Sequence, residues 1–369
     1  MHEKLTEIIA RETEGKSYRA KVYSLGGVEC AYESHEESVN VWKKSAESSQ
    51  RSKYINLYSL SKELSRSGEQ IFTYFIDGTR RVFKIDEILY GNKLYPVTAG
   101  QFCVGCCKRR EKKLYPDRIK HEIVIALPSI ADYDGTPGFF PALAHKLNDS
   151  IIMKSSGLEI SSVLAYKTSN DNLDDKAVAC IQTRMLEREK ELTEQTARKL
   201  NYKNYLIKDG SLEYRKQSGM NFQNYRWVIG ISKTFNPELC RNNHGRNDPG
   251  YIAELPLYHR TQAACFENDI LGDTRFAVWY IRLHERTNRH SVFDGIIKVE
   301  KMLVTQSERE QGIMNSDEID TLSAHILNER NPVCNVKDPR WASHIYPVYL
   351  TESYIKSKYI STEIFMHLF

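Results

Sequence analysis

Long apolar runs are missing from this chain. Nowhere do about 18 consecutive apolar residues occur, which argues against a membrane-spanning helix. The opening segment MHEKLTEIIARETEGK has no apolar middle of the kind a signal peptide needs, so a cytoplasmic protein is expected. A phosphate-binding GxxxxGK[ST] loop is also lacking, and any ATP-driven motion would have to come from a partner. Charge of one sign is scarce: 52 basic against 48 acidic residues give +4, so a nucleic-acid binder must concentrate its positive charge locally. The eight cysteines, Cys30, Cys103, Cys106, Cys107, Cys180, Cys240, Cys265 and Cys334, are scattered, and a chain of this length folds without disulfides. There is no internal repeat, heptad array or low-complexity segment. What is present, 41% hydrophobic and 27% charged residues over 369 positions, suits one large core or two modest ones.

Residues 1–66 are polar and predict a helical N-terminal arm, with Leu5, Ile8 and Ile9 in one stripe and Tyr54, Leu57, Leu60 and Leu64 in another. From Gln70 the pattern turns to β. IFTYFIDGT reads as a strand ending in Asp-Gly, and RRVFKIDEILY and KLYPVTAGQFCV continue as strands around a Gly91-Asn92 hairpin turn. HEIVIALP is a fourth strand after a basic turn, and SIADYDGTPGFFPALAHKLND is a loop with a short helix. Residues 174–200 predict the longest helix, with Val178, Ile181, Met185 and Leu192 in one narrow sector. YLIKDGSLEYR is a further strand ending in Asp-Gly. RWVIGISK is a buried strand, CRNNHGRNDPG at 240–250 an exposed loop, and FAVWYIRL and GIIKVEKM two late strands before a helix around 316–328. This order predicts an α/β fold: a mixed sheet of the RNase H-like type flanked by helices, with the N-terminal arm and insertions added.

Two aspartates, Asp77 in YFIDGT and Asp209 in LIKDGS, each close a strand ahead of a glycine. Strand ends are where ligands gather in α/β sheets, so the two can converge, and paired carboxylates can hold the Mg2+ or Mn2+ that phosphodiester cleavage needs. A plain turn after each strand is the competing explanation. A third acid can come from TRMLEREKELTEQTARKL, where Glu187, Glu191 and Glu194 share a face beside the apolar stripe. Glu191 is the first choice and Glu187 the second; Glu189 falls closer still to the apolar side, and a solvated charged face would explain all of them. Arg80 and Arg81, directly after the first motif, are placed to meet DNA. Cys103 and Cys106 in FCVGCCKRREKK make half a zinc site with Cys107 adjacent, but only His121 offers a nearby complement, and the basic run suits a solvated hairpin tip.

The order of these segments resembles the NurA nucleases. FIDGTRR, EREKEL, LIKDGSLEYR, VIGISK and HIYPVYLTESYIKSKYIS follow the family's motif order across about residues 70–360, with WYIRL and GIIKVEK resembling its late strand pair. The resemblance implies a nuclease domain over 67–369, with Asp77 and Asp209 as metal ligands and Glu191 or Glu187 as the helical acid. It places Lys233 at the phosphate or the developing charge. It further implies Mn2+ or Mg2+ as cofactor, DNA as substrate, a homodimer, and a HerA-type hexameric ATPase as partner in DNA end processing, repair or antiviral defence. Where the family's last motif has histidine, this sequence has Tyr354, with His344 nearby as a possible substitute. A catalytically inactive DNA-binding adaptor and an RNA-directed nuclease of the same fold are the competing expectations.

Overall fold

The computed structural model describes residues 3–18, 23–25, 39–169, 172–212, 222–236, 246–268, 274–285, 291–332 and 341–369. In chain order come helix α1 (Leu5–Glu12), strands β1 (Lys16–Ser17), β2 (Tyr23–Ser24), β3 (Val39–Lys43) and β4 (Tyr54–Asn56), and helix α2 (Tyr58–Ser67). Three long strands follow: β5 (Phe72–Tyr90), β6 (Lys93–Arg110) and β7 (Lys113–Pro128). Then come α3 (Phe139–Asp149), α4 (Ile151–Ser156), β8 (Ile160–Tyr166), α5 (Leu173–Ala197), β9 (Tyr205–Asp209) and β10 (Val228–Ser232). The remainder is α6 (Pro249–Ala253), β11 (His259–Thr261), β12 (Ala264–Asn268), β13 (Arg275–Arg282), β14 (Ile296–Leu303), α7 (Gln306–Gln311), α8 (Ser316–Asn328), α9 (Tyr346–Lys356) and α10 (Thr362–His367).

The strands join one sheet whose main path runs β3-β12-β13-β14-β10-β9-β5-β6-β7-β8. At its centre β6 is antiparallel to β5 and β7, and β9 is parallel to β5 and β10. Taken by chain order, these five strands lie third, second, first, fourth, fifth, which is the RNase H-like arrangement expected from the sequence. The parallel step from edge strand β8 back across the sheet to β9 requires a crossover, and α5 supplies it.

Both faces of the centre are covered. On one, Val178, Ile181, Met185 and Leu192 of α5 pack with Ile76, Val104, Val124 and Leu206, so the predicted stripe is the one that is buried. On the other, Ile319 of α8 and Val348 of α9 pack with Phe75, Ile207, Ile229 and Trp279. A third cluster joins Leu5, Ile8 and Ile9 of α1 to Phe83, Ile125, Leu147 and Phe365. Each fully buried aliphatic or aromatic side chain contributes roughly 1.5–3 kcal/mol, enough for these layers to fix where the strands sit.

Several local expectations change. The segment before residue 67 is helical at α1 and α2, but β3 pairs with β12 and β4 with β11. The three-and-four spacing that links Tyr54 to Leu57 is therefore interrupted: Tyr54 belongs to a strand, and the helix begins after Leu57. IFTYFIDGT and RRVFKIDEILY are one strand of 19 residues, because the backbone stays extended through Asp77-Gly78. β8, parallel to β7, had no sequence signal that set it apart. Residues 213–215 of the expected strand, the first part of the 240–250 loop, and Cys30, Cys240 and Cys334 lie outside the described residues.

Candidate active site

Asp77 sits within β5 and Asp209 is the last residue of β9. Their strands are parallel neighbours in which Ile76 faces Lys208, so the two aspartates, each one residue further on, stand side by side. Neighbouring strands run about 4.8 Å apart, and the 131 intervening residues fold back to bring the acids together. Asp77 is buried; its Oδ1 accepts the Gly78 amide at 2.7 Å, and its Oδ2 has no hydrogen-bond partner among the described residues. Burial, with the negative charge of Asp209 next in weight and Glu352 and Glu189 adding to it, pushes Asp77 well above the usual carboxylate range against the pull of Lys233.

The turn after Asp209 is fixed from several sides. Gly210 takes φ +87°, which a side chain would resist, and its amide donates to the Ile231 carbonyl at 2.7 Å. Lys208 Nζ donates to the Asp209 and Ser211 carbonyls at 2.8 and 3.1 Å. Glu300 on β14 accepts from Ser211 Oγ at 2.9 Å and the Leu212 amide at 2.8 Å. A Cβ on Gly230 would come within 2.8 Å of Leu212 Cγ and 3.0 Å of the Gly210 carbonyl, so a bare glycine in β10 lets this turn lie flat.

Lys233, one residue past β10, has a side chain only 6% exposed and places Nζ 3.1 Å from Asp209 Oδ2 and 3.9 Å from Glu352 Oε2. Burial alone would lower this ammonium, but Asp209, Asp77 and Glu352 together raise it above an ordinary lysine, so it stays charged through the working pH range. Glu352 comes from α9 and also bonds Lys356 at 2.6 Å. Burial opposes its ionisation, and the charges of Lys233 and Lys356 outweigh that, holding it below the ordinary glutamate range. Glu352 went unnoticed in the sequence, although it lies four residues after buried Val348 and three before buried Ile355, spacings that share a helix face. Its helix can approach because β6 has Gly105, where a Cβ would stand 2.3 Å from Ile355 Cγ2.

The acid of α5 that packs against the strands is Glu189, not Glu191 or Glu187, and its contact at Gly78 puts it on the sheet face opposite the Asp77 side chain. Glu187 and Glu191 leave 41% and 48% of their side chains exposed and pair with Arg184 at 3.0 Å and Arg188 at 2.8 Å. Glu189 is only 6% exposed and pairs with Lys208 at 3.2 Å. Two positions along a helix rotate a side chain by about 200°, so Glu189 and its neighbours at 187 and 191 cannot face the same way. Burial raises Glu189 above the usual range despite Lys208, with Asp209 adding to the rise. Gly78 makes the approach possible: a Cβ there would lie 2.0 Å from Glu189 Oε1. The two Asp-Gly pairs therefore work differently, since Gly210 turns the chain and Gly78 clears space for a carboxylate.

At the C-terminus the tyrosine that reaches β5 is Tyr359. Its Oη lies 2.7 Å from Thr79 Oγ1. Tyr354 is two residues from Glu352, hence on another side of α9, and its ring lies under Lys358 at 4.7 Å, so it does not take the place expected of it. His344 is buried and stacks on Tyr349, with centroids 5.6 Å apart, near enough to Glu352 to favour its ionised form. Arg80 donates Nε to Gln182 at 3.2 Å on the α5 side, and Arg81, on the other face, lies over the Tyr359 ring at 4.6 Å. Cys103 and Cys106 are three apart on one strand and point to opposite faces, and burial pushes both thiols up to about 12, so they do not form half a zinc site.

Among the described residues no three acidic, histidine or cysteine side chains form a ready cation cage. The donor chemistry nevertheless fits a hard divalent ion: carboxylate oxygens, one of them buried and unbonded. Asp77, Asp209, Glu352 and Glu189 stand against Lys233, Lys208 and Lys356, which leaves one net negative charge if all are ionised.

No protein-family model matches this chain, and no curated protein matches it. Among solved structures, the NurA nuclease from Sulfolobus solfataricus is similar over 85% of this chain and 90% of that one, with 11% identity and a TM-score of 0.41.

Proposed function

We propose that this chain is a divalent-metal-dependent deoxyribonuclease that hydrolyses phosphodiester bonds at DNA ends or in single strands. The observation that carries the reading is the pairing of Asp77 and Asp209 on adjacent parallel strands, with the inner oxygen of Asp77 buried and unbonded. Asp77 and Asp209 would hold Mn2+ or Mg2+, and Glu189, buried on Lys208 beside the Asp209 turn, would support their setting. When bound, such an ion supplies an activated water and stabilises the leaving oxygen. Lys233, charged and linked to Asp209, can offset charge building on the phosphate. The Lys208 and Glu300 bonds hold the turn that carries Asp209, so its carboxylate is oriented before substrate arrives.

The NurA resemblance in the sequence extends the proposal to a cytoplasmic homodimer docked on a HerA-type hexameric ATPase that moves the DNA, in end processing, repair or anti-phage defence. One observation favours a second reading, a catalytically silent DNA-binding subunit: the Lys233 ammonium already lies between Asp209 and Glu352 and could substitute for a cation.

Cleavage of single- and double-stranded DNA and RNA in Mn2+ and in Mg2+, by the parent, Asp77→Ala and Asp209→Ala, separates these. The proposal expects DNA cutting that needs metal and is lost in both variants. Equal cutting by all three proteins would reject the site, tight binding without cutting would favour the silent subunit, and a preference for RNA would replace the substrate.

A further inference from the structure

Alternate residues of a strand share a sheet face and lie about 6.7 Å apart, so Asp77, Thr79 and Arg81 form one row on β5, on the side covered by the C-terminal segment. Beside Thr79 stands the Tyr359 hydroxyl, 2.7 Å from Thr79 Oγ1. Two hydroxyls in contact use one hydrogen between them, and the second remains to be donated. Burial raises the Tyr359 phenol above its ordinary range, so it keeps its proton.

Arg81 is exposed, and among the described residues its guanidinium meets no carboxylate; its partner is the Tyr359 ring at 4.6 Å. Stacking fixes the plane of the guanidinium and leaves its N–H edges for an anion.

The platform is built rather than incidental. Gln101, fully buried opposite Arg81 in β6, accepts the Ile360 amide at 2.9 Å, donates to the Ile360 carbonyl at 2.9 Å, and meets His121 Nε2 at 3.0 Å. Those bonds hold the backbone next to Tyr359 against the sheet.

We infer that Thr79, Tyr359 and Arg81 form a binding site for a phosphate flanking the one that is cut, on a nucleic-acid strand lying along β5. The spacing of the row matches the reach from one phosphate of an extended strand to the next, whereas a protein ligand would not require a hydroxyl pair and a stacked guanidinium in this register. The inference rests on the nuclease reading for its place beside the cutting site, but strand binding can be measured without cleavage.

The test uses the full chain and a short fluorescein-labelled oligothymidylate. Binding is followed by anisotropy in EDTA, and cleavage is followed separately in Mn2+. Arg81→Ala should weaken binding roughly tenfold and Tyr359→Phe several-fold, raising KM while leaving kcat nearly unchanged. Arg81→Ala should also lower the salt slope of binding by about one, with Arg81→Lys recovering part of both effects. If Tyr359→Phe fails to fold by thermal melting, Thr79→Val reports on the same hydroxyl pair. A parent that cuts, with variants unchanged in affinity and KM, overturns the site and leaves the nuclease reading standing. A parent that binds without cutting, with affinity lost in the variants, keeps the site and overturns the nuclease reading; a parent that neither binds nor cuts overturns both.

Discussion

A carboxylate oxygen without a hydrogen bond in a dry interior is costly, by about 1–3 kcal/mol, and Asp77 Oδ2 is such an atom. Its folded-state ionisation lies above the unfolded one, first through burial and then through Asp209. The ionised form therefore opposes folding: the stability is present at low pH and is lost as pH climbs from the ordinary aspartate range through the folded value. Asp77→Asn should accordingly stabilise the metal-free protein by about 1 kcal/mol at pH 8 and little at pH 4, read by denaturant melts in EDTA, while abolishing cleavage. Lower stability of the variant at pH 8 would show that Asp77 has a partner. On α5, Glu189→Gln should reduce cleavage roughly tenfold by freeing Lys208 and loosening the turn that carries Asp209, and Glu191→Gln less than about twofold, since Glu189 is buried on Lys208 while Glu191 is half exposed on Arg188. Activity assays on both variants decide it, and the opposite ranking would restore Glu191.

Elements reach the site through missing side chains. α9 lies on β6 at Gly105 and so carries Glu352 toward Lys233, while α5 brings Glu189 against β5 at Gly78. Gly105→Ala should drive a methyl into Ile355, cost roughly 1–3 kcal/mol and slow cleavage by lifting α9. Adding Ile355→Val should recover more than half of the lost stability, and denaturant midpoints for the double-mutant cycle measure the coupling. Strict additivity would mean that α9 is not seated on Gly105. Asp-Gly is a turn pair, so the local pattern ends the strand at Asp77, but pairing with β6 along nearly its whole length keeps it extended. No local pattern separates those outcomes, since Gly78 suits either.

For the whole molecule, the proposed binding of a divalent ion by Asp77 and Asp209 links stability to that ion. At a Mn2+ concentration about 100 times its Kd, binding to the native state alone adds about 2.7 kcal/mol, so the melting temperature should rise with Mn2+ or Mg2+. Calorimetry of the parent should show that rise, and Asp77→Asn should lose most of it; an equal rise in both would place the ion elsewhere. The sheet centre explains why one pair of acids governs this response. β5 and β9 are adjacent only because α5 carries the chain across to a parallel neighbour.

Sequence alone determined the components: the strand patterns, the long helix with its buried stripe, both aspartates and Lys233. Hydrophobic period, charge and turn residues are local properties, and they survive without knowledge of the fold. Tertiary structure decided the rest, namely that Asp77 and Asp209 lie side by side, that Glu189 rather than Glu191 is the buried acid of α5, and that Glu352 and Tyr359 join from the C-terminal segment. Those choices depend on strand register and helix rotation, which packing fixes: one residue of register turns a strand side chain to the other face, and two residues turn a helical one about 200° away.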